Sequence, residues 1–177
     1  METPYVVAPQ MLGAGLLVAR VVFGLLMAAH GAQKLFGWFG GYGLSATGQF
    51  MVQLGYSRGR FFAAAASATE VVSGLLLALG LLGPVGPALI VAVMIVAAVT
   101  VHLPNGVFAT TNGVELPLLF GAAAVAFALA GFGPYSLDAV TGMSALWTPK
   151  LTFAVLAVGV VGGIVNLMIR RPAPAST

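Results

Sequence analysis

His30 and Lys34 lie four residues apart, where a long apolar run gives way to the stretch "LFGWFGGYG" at residues 35–43. Residues at this spacing share one face of a helix. A histidine gains and loses a proton near neutral pH, and a lysine supplies a positive charge. The pair therefore predicts a site that binds a carbonyl or anionic group and exchanges protons with it, provided that further polar groups lie near.

Arg20 and Glu70 stand inside apolar runs, where a charged side chain in a membrane costs about 2.5–3.5 kcal/mol. Counted at about 1.5 Å per residue from opposite boundaries, both fall near the same depth of a hydrocarbon core about 30 Å thick. We therefore expect an Arg20–Glu70 ion pair between the first two long helices. Such a pair either locks the helices together or takes part in function.

A polar cluster is expected near one membrane boundary, because His30, His102 and Glu115 all fall there. The connection "LPNGVFATTNGV" is short enough to bring the helix ends that carry His102 and Glu115 together. Either histidine alone is typical of a residue that reaches the lipid headgroups, but the cluster predicts proton transfer to a quinone. We assign catalytic roles to His30, His102 and Glu115, and substrate or quinone binding to Lys34, Asn105, Arg20 and Glu70.

Asp138, in "GPYSLD", is predicted to have a structural role, capping or pinning a turn. The two histidines and Glu115 lack the close spacing of metal-binding motifs, so no metal site is predicted. The chain contains no cysteine, which excludes disulfides and thiol chemistry of its own.

The composition shows which solvent surrounds these residues. Of the 177 residues, 60% are hydrophobic and 6% are charged, whereas soluble domains carry about 25% charged residues. Such a chain is an integral membrane protein. Its net charge of +3 comes from scattered basic residues, which does not indicate nucleic-acid binding.

Five apolar runs separated by Gly- and Pro-rich stretches are predicted to span the membrane. The first is too long for a signal peptide and follows a segment with Glu2 and no basic residue. We predict an all-α polytopic membrane protein with a four-helix bundle core and an additional C-terminal helix. The predicted spans are residues 11–32, 61–82, 86–103, 115–130 and 151–169.

The connection from Lys34 to Arg60 is expected to hold a short interfacial helix at about 44–56, with Ser45 as its cap. With five spans, this connection and the C-terminal tail lie on one side of the membrane. That side carries Lys34, Arg58, Arg60, Arg170 and Arg171, and the other carries only Lys150. The excess of positive charge predicts an external N-terminus and a cytoplasmic C-terminus.

Several segments together resemble the DoxX family of small bacterial membrane proteins. They are "RVVFGLLMAAHGAQKLFGWFGGYG", "VHLPNGVF", "NGVELPLLF" and "GFGPYSLD". The resemblance extends over about residues 16–140 and implies a four-helix domain at 1–140, followed by a linker, a fifth helix and a basic tail at 141–177. It also implies that Arg20, His30, Lys34, Glu70, His102, Asn105, Glu115 and Asp138 are the characteristic polar positions.

The family is distantly similar to the small subunit of thiosulfate:quinone oxidoreductase. This implies a subunit of a redox complex in the bacterial inner membrane that links thiol or thiosulfate oxidation, or oxidative-stress defence, to the quinone pool. Quinone is then the expected cofactor, and a soluble sulfurtransferase or superoxide dismutase, or a second copy of the chain, the expected partner. Two alternatives are a non-catalytic membrane anchor for soluble redox enzymes and a small transporter or lipid-binding protein.

Overall fold

A computed structural model describes residues 8–171 of the chain. Residues 1–7, which include Glu2, and residues 172–177 of the predicted tail lie outside this part. All regular structure in residues 8–171 is helical. The α-helices are α1 (Pro9–Phe36), α2 (Gly43–Gln53), α3 (Gly59–Leu79), α4 (Val85–Ala97), α5 (Glu115–Ala130), α6 (Leu137–Val140) and α7 (Pro149–Ile169).

Proline and glycine set the ends of the long helices. Pro9 and Pro149 stand in the first turns of α1 and α7, where a missing N–H removes no intrahelical hydrogen bond. Gly37 and Gly80 follow α1 and α3 with φ of 75° and 64°, a left-handed conformation in which the chain leaves the helix. These ends explain why α3 stops at Leu79 and not at the predicted residue 82.

Within residues 8–171, four helical segments are long and apolar enough to cross a membrane: α1, α3, α7, and α4 with the short helical turns that extend it to Asn105. Helix α5 has the predicted bounds of the fourth span. Its 16 residues correspond to a length of about 24 Å, so α5 is shorter than a hydrocarbon core of about 30 Å.

Helices α1 and α3 pack antiparallel through glycines. A Cβ on Gly31 would lie 2.5 Å from the Ser67 carbonyl oxygen, and one on Gly24 would lie 2.5 Å from the Gly74 carbonyl oxygen. Small residues of this kind allow helix backbones to approach closely in a membrane. This contact fixes the register of the two helices.

Helix α4 lies at the centre of the fold and packs on α3, α5 and α7. Gly159 and Gly163 of α7 meet the backbone of α4 at Ala88 and Ala92. The Gly-x-x-x-Gly sequence of the fifth predicted span is therefore used for packing inside the bundle.

The two ends of the bundle are defined by different contacts. At one end, the Arg171 N–H donates to the Gly55 carbonyl (2.9 Å) and the Tyr56 hydroxyl donates to Asn166 (2.7 Å). We name this the Lys34 end, because α1 also ends there. The opposite end, named the Asp138 end, holds the α3–α4 turn and the segment that precedes α7.

A short helix is present where one was predicted, as α2, which packs on α1 and α3 at the Lys34 end. Ser45 is not its cap, contrary to the prediction. The helix begins at Gly43 with no capping side chain, so Ser45 falls inside the first turn. Thr47 attaches α2 to its neighbours instead, since its hydroxyl lies 2.8 Å from the Gly43 carbonyl and 3.2 Å from that of Lys34.

Candidate functional site

Glu70 is a buried carboxylate between α1 and α3, and its ion-pair partner is Lys34. The side chain of Glu70 is 1% exposed and that of Lys34 is 38% exposed, so the pair connects the helix interface to the surface. One carboxylate oxygen accepts from the lysine ammonium. The other, Oε2, is buried and has no hydrogen-bond partner among the described residues.

Arg20 is not the partner of Glu70, so the predicted Arg20–Glu70 pair is wrong. The glycine contacts place Arg20 level with Gly80 and Glu70 level with His30, which separates the two charges by about 15 Å along the bundle. Helical side chains lean toward the N-terminus of their own helix. In an antiparallel pair this direction carries Arg20 and Glu70 away from each other.

Arg20 instead binds the C-terminal end of α3. Its guanidinium donates to the Ala78 carbonyl and to the Tyr135 carbonyl at 2.6 Å, and the residue is 2% exposed. The last carbonyls of a helix lack intrahelical partners and attract positive charge. Arg20 therefore joins α1, α3 and the segment before α6 at the Asp138 end.

His30 lies one turn before Lys34 on α1, and its ring packs edge-to-face on Phe120 of α5 at a centroid distance of 5.7 Å. Ser67 and Ser73, both buried on α3 near Glu70, donate to backbone carbonyls of their own helix. They therefore leave Glu70 Oε2 without a donor. His30, Lys34 and Glu70 form the first group of polar residues at the Lys34 end.

The second group closes the connection between α4 and α5. Here α4 widens into a π-helical turn at Ala98–His102, a geometry that often marks functional sites. His102 Nδ1 lies 2.8 Å from the Asn112 carbonyl, and Asn105 donates to the Val101 carbonyl at 2.8 Å. Glu115 accepts from the Ala109 N–H at 2.7 Å, which ties the loop to the start of α5.

The predicted cluster thus divides into two separate groups at the Lys34 end. His30, Lys34 and Glu70 lie on α1 and α3, whereas His102, Asn105 and Glu115 lie in the α4–α5 connection. Within residues 8–171, no group of three or more His, Cys, Asp or Glu side chains is arranged to hold a metal ion.

Asp138 holds the turn between α3 and α4 in place. Its carboxylate accepts from the N–H groups of Leu82 (2.9 Å) and Gly83 (2.6 Å) in the α3–α4 turn, and from the Trp147 indole (2.9 Å). The sequence did not indicate Trp147 as a partner of Asp138. The hydrogen bond between Tyr56 and Asn166 was also not predicted, although an amide inside an apolar helix was the available signal.

Three of the cavities on the described part of the bundle are lined by neither polar group. One of about 340 Å³ at the Asp138 end is bounded by Asp138, Trp147 and Thr152. A crevice of about 140 Å³ contains Tyr56 and Asn166. An apolar groove of about 670 Å³ runs along α1 and α3, from Val22 and Leu75 to Trp38 and Phe39.

Comparison with known proteins identifies the family. The DoxX family model matches residues 15–103, half of the chain. The chain belongs to the DoxX family. As a DoxX protein with four long apolar helices it is a multi-pass membrane protein. The match includes Arg20, His30, Lys34, Glu70 and His102, and it ends before Asn105, Glu115 and Asp138. Neither a curated protein nor a solved structure matches the chain.

Proposed function

We propose that this DoxX protein is a membrane subunit of a redox complex that passes electrons from thiol or thiosulfate oxidation to quinone. The buried Lys34–Glu70 pair would take up the accompanying protons. We further propose five spans, with α5 crossing a locally thinned bilayer, the Lys34 end in the cytoplasm and the membrane being the bacterial inner one. Lys34, Arg58, Arg60, Arg170 and Arg171 at that end support this orientation.

The observation that carries the proposal is the state of Glu70. A carboxylate that is 1% exposed, with one oxygen on an ammonium and the other on no donor, is an expensive arrangement for stability alone. Quinone reduction consumes two electrons and two protons. Glu70 is suited to hold a proton inside the bundle, and the partly exposed Lys34 opens its path to water.

Helices α1 and α3 also carry the apolar groove between Val22 and Phe39. Its volume of about 670 Å³ is in the range of ligand sites. We assign it to the isoprenoid tail of the quinone, while His30, His102 and Glu115 exchange protons at the Lys34 end. Since the chain has no cysteine, sulfur oxidation would occur on the substrate or on a soluble partner such as a sulfurtransferase.

The alternative function, a membrane anchor, predicts that different residues are important. An anchor for a sulfurtransferase or superoxide dismutase would depend on exposed residues of the Lys34 end, such as Arg58 and Arg60, and not on Glu70. A homodimer would offer two copies of these exposed residues to the soluble enzyme.

The test uses bacterial membranes that lack the native protein and carry a variant of it. Thiosulfate-dependent quinone reduction is measured with long-tailed and short-tailed quinones. We expect Glu70→Gln to lower the rate with both, and Ala29→Trp, which fills the groove, to raise the KM of the long-tailed quinone only. Arg58→Gln is the control. Loss of activity in the control with full activity in Glu70→Gln would refute the proposal in favour of the anchor.

A further inference from the structure

Four arginines from distant parts of the sequence lie at the Lys34 end of the fold. Arg58 and Arg60 stand at the start of α3, and Arg170 and Arg171 directly follow the end of α7. The hydrogen bond from Arg171 N–H to the Gly55 carbonyl (2.9 Å) brings the two pairs together. We call these four residues the arginine patch.

Contacts around Tyr56 hold the arginine patch in place. The Tyr56 side chain is buried, and its hydroxyl donates to Asn166 of α7 at 2.7 Å. Burial raises the pKa of the Tyr56 phenol, and the nearby Arg170 charge partly offsets this rise. The hydrogen bonds of Tyr56 with Asn166 and of Arg171 with Gly55 therefore fix the end of α7 against the start of α3.

The arginine patch has no carboxylate partner among residues 8–171. Of the acidic residues there, Glu70 pairs with Lys34, Glu115 accepts from Ala109 and Asp138 binds the α3–α4 turn at the other end. The Arg170 Nε is buried without an acceptor, which costs free energy. The first turn of α3 also lacks an acidic residue, although the start of a helix attracts negative charge.

Beside the arginine patch lies the crevice of about 140 Å³ between α3, α4 and α7. Apart from Tyr56, Thr69 and Asn166, its lining is apolar, with Phe62, Val96 and Gly162 among its walls. A Cβ on Gly162 would meet no atom within 4 Å, so the crevice is open at this position. Asn166 in its wall precedes Arg170 by four residues, so the arginine patch lies next to an apolar crevice. This combination matches a molecule with an anionic head and a hydrocarbon chain.

We infer that the arginine patch and the adjoining crevice bind an anionic phospholipid, with its phosphate on the arginines and one acyl chain along α7. Basic pockets between membrane helices are suited to such headgroups. The guanidinium forms paired hydrogen bonds with phosphate oxygens, which would give Arg170 the acceptor that it lacks. The lipid would stabilise the contact between α7 and α3, because it touches both.

The test is native mass spectrometry of the detergent-solubilised full chain, with phosphatidylglycerol and phosphatidylcholine of equal chain length added in turn. We expect phosphatidylglycerol to be retained preferentially. Each arginine near a headgroup adds about 1 kcal/mol of attraction. Arg170→Gln/Arg171→Gln should therefore lower phosphatidylglycerol retention about tenfold or more, and Lys150→Gln at the other end should not change it.

A second variant tests the acyl chain separately from the charge. Gly162→Leu keeps all four arginines and fills the crevice, so we expect lower phosphatidylglycerol retention with an unchanged circular dichroism spectrum. Equal retention of both lipids by the wild type, or unchanged retention in both variants, would overturn the inference. Displacement by inorganic phosphate as effective as displacement by lipid would also overturn it, because the acyl chain would then contribute nothing. None of these readouts depends on quinone chemistry.

Discussion

Glu70 pairs with Lys34 because the two side chains lean toward each other across an antiparallel helix contact. Lys34 leans back along α1, and Glu70 leans toward the start of α3, which lies at the Lys34 end. The pair bridges a difference of about 6 Å in level between Lys34 and His30, the α1 residue level with Glu70. Because Glu70 is buried and Lys34 is partly exposed, removing one partner has a different effect on stability from removing the other.

Lys34→Met should destabilise the protein more than Glu70→Gln does. The first change leaves a buried carboxylate without a cation, which costs about 3 kcal/mol. In the second change, the partly exposed ammonium reorients toward solvent, and the loss of stability is about 1 kcal/mol. Thermal unfolding in detergent measures both, and the double variant should be close to Glu70→Gln. Equal losses in the single variants would contradict this account of the pair.

Gly31→Leu should prevent the close packing of α1 on α3. A side chain at this position meets the Ser67 carbonyl oxygen and the Val71 backbone, and overpacking against backbone costs about 1–3 kcal/mol or more. We expect a lower yield of folded protein and a lower Tm by size-exclusion chromatography and thermal unfolding. Gly15→Leu on the same helix is the matched control, because nothing lies within 4 Å of that site.

Arg20→Met should lower stability without changing quinone binding. It removes the donor from the Ala78 and Tyr135 carbonyls, at about 1–3 kcal/mol for each acceptor left buried. Arg20→Lys should recover only part of the loss, since one ammonium replaces a guanidinium that reaches two carbonyls. A changed KM for quinone in well-folded Arg20→Met would restore the substrate role predicted for this residue.

Asp138→Ala should release Trp147 and loosen the α3–α4 turn. Three N–H groups lose their acceptor, so we expect a loss of about 3 kcal/mol or more and a red-shifted Trp147 fluorescence. The measurement is made in a Trp38→Phe background, because Trp38 is the other tryptophan. Asp138→Asn keeps one acceptor oxygen and should lose less. An unchanged spectrum in Asp138→Ala would disprove the role of the carboxylate.

His102→Ala should abolish substrate-dependent quinone reduction while the protein remains folded, if the histidines exchange protons as proposed. His30→Phe is a sharper variant for the other histidine, because it keeps the edge-to-face contact with Phe120 and removes the proton. Quinol formation is measured in membranes that contain equal amounts of each variant. Full activity in either one would remove that histidine from the mechanism.

The bounds of the helices could be predicted from the sequence better than the ion-pair and hydrogen-bond partners of their side chains. Proline and glycine mark where helices start and stop, and the apolar runs between them are long, so the bounds of α5 and α7 were close to those expected. The π-helical turn before His102 has no comparable signature in the sequence. It was not predicted, although it includes His102.

The ion-pair partner of Glu70 could not be predicted from the estimated depths of the charged residues in the membrane. A depth counted from an assumed boundary shifts by a full turn when a helix extends beyond it, as α1 does to Phe36. The register depends on which glycines of α1 meet α3, and the direction of each side chain depends on antiparallel packing. These are properties of the assembled pair and not of either segment. Asp138 was predicted to pin a turn, but the turn that it binds is 55 residues away in the sequence, so the local sequence did not indicate which turn it is.

The contact between the Gly55 carbonyl and the Arg171 N–H has a consequence for how the protein is made. Helix α7 leaves the ribosome after every other helix described, and until it inserts, the Tyr56 hydroxyl and the Gly55 carbonyl lack their partners. Insertion machinery must therefore tolerate an unfinished bundle whose α3–α4 surface is covered by lipid. Translation arrest before α7 should leave a chain that is integrated in the membrane yet sensitive to protease at the α2–α3 loop.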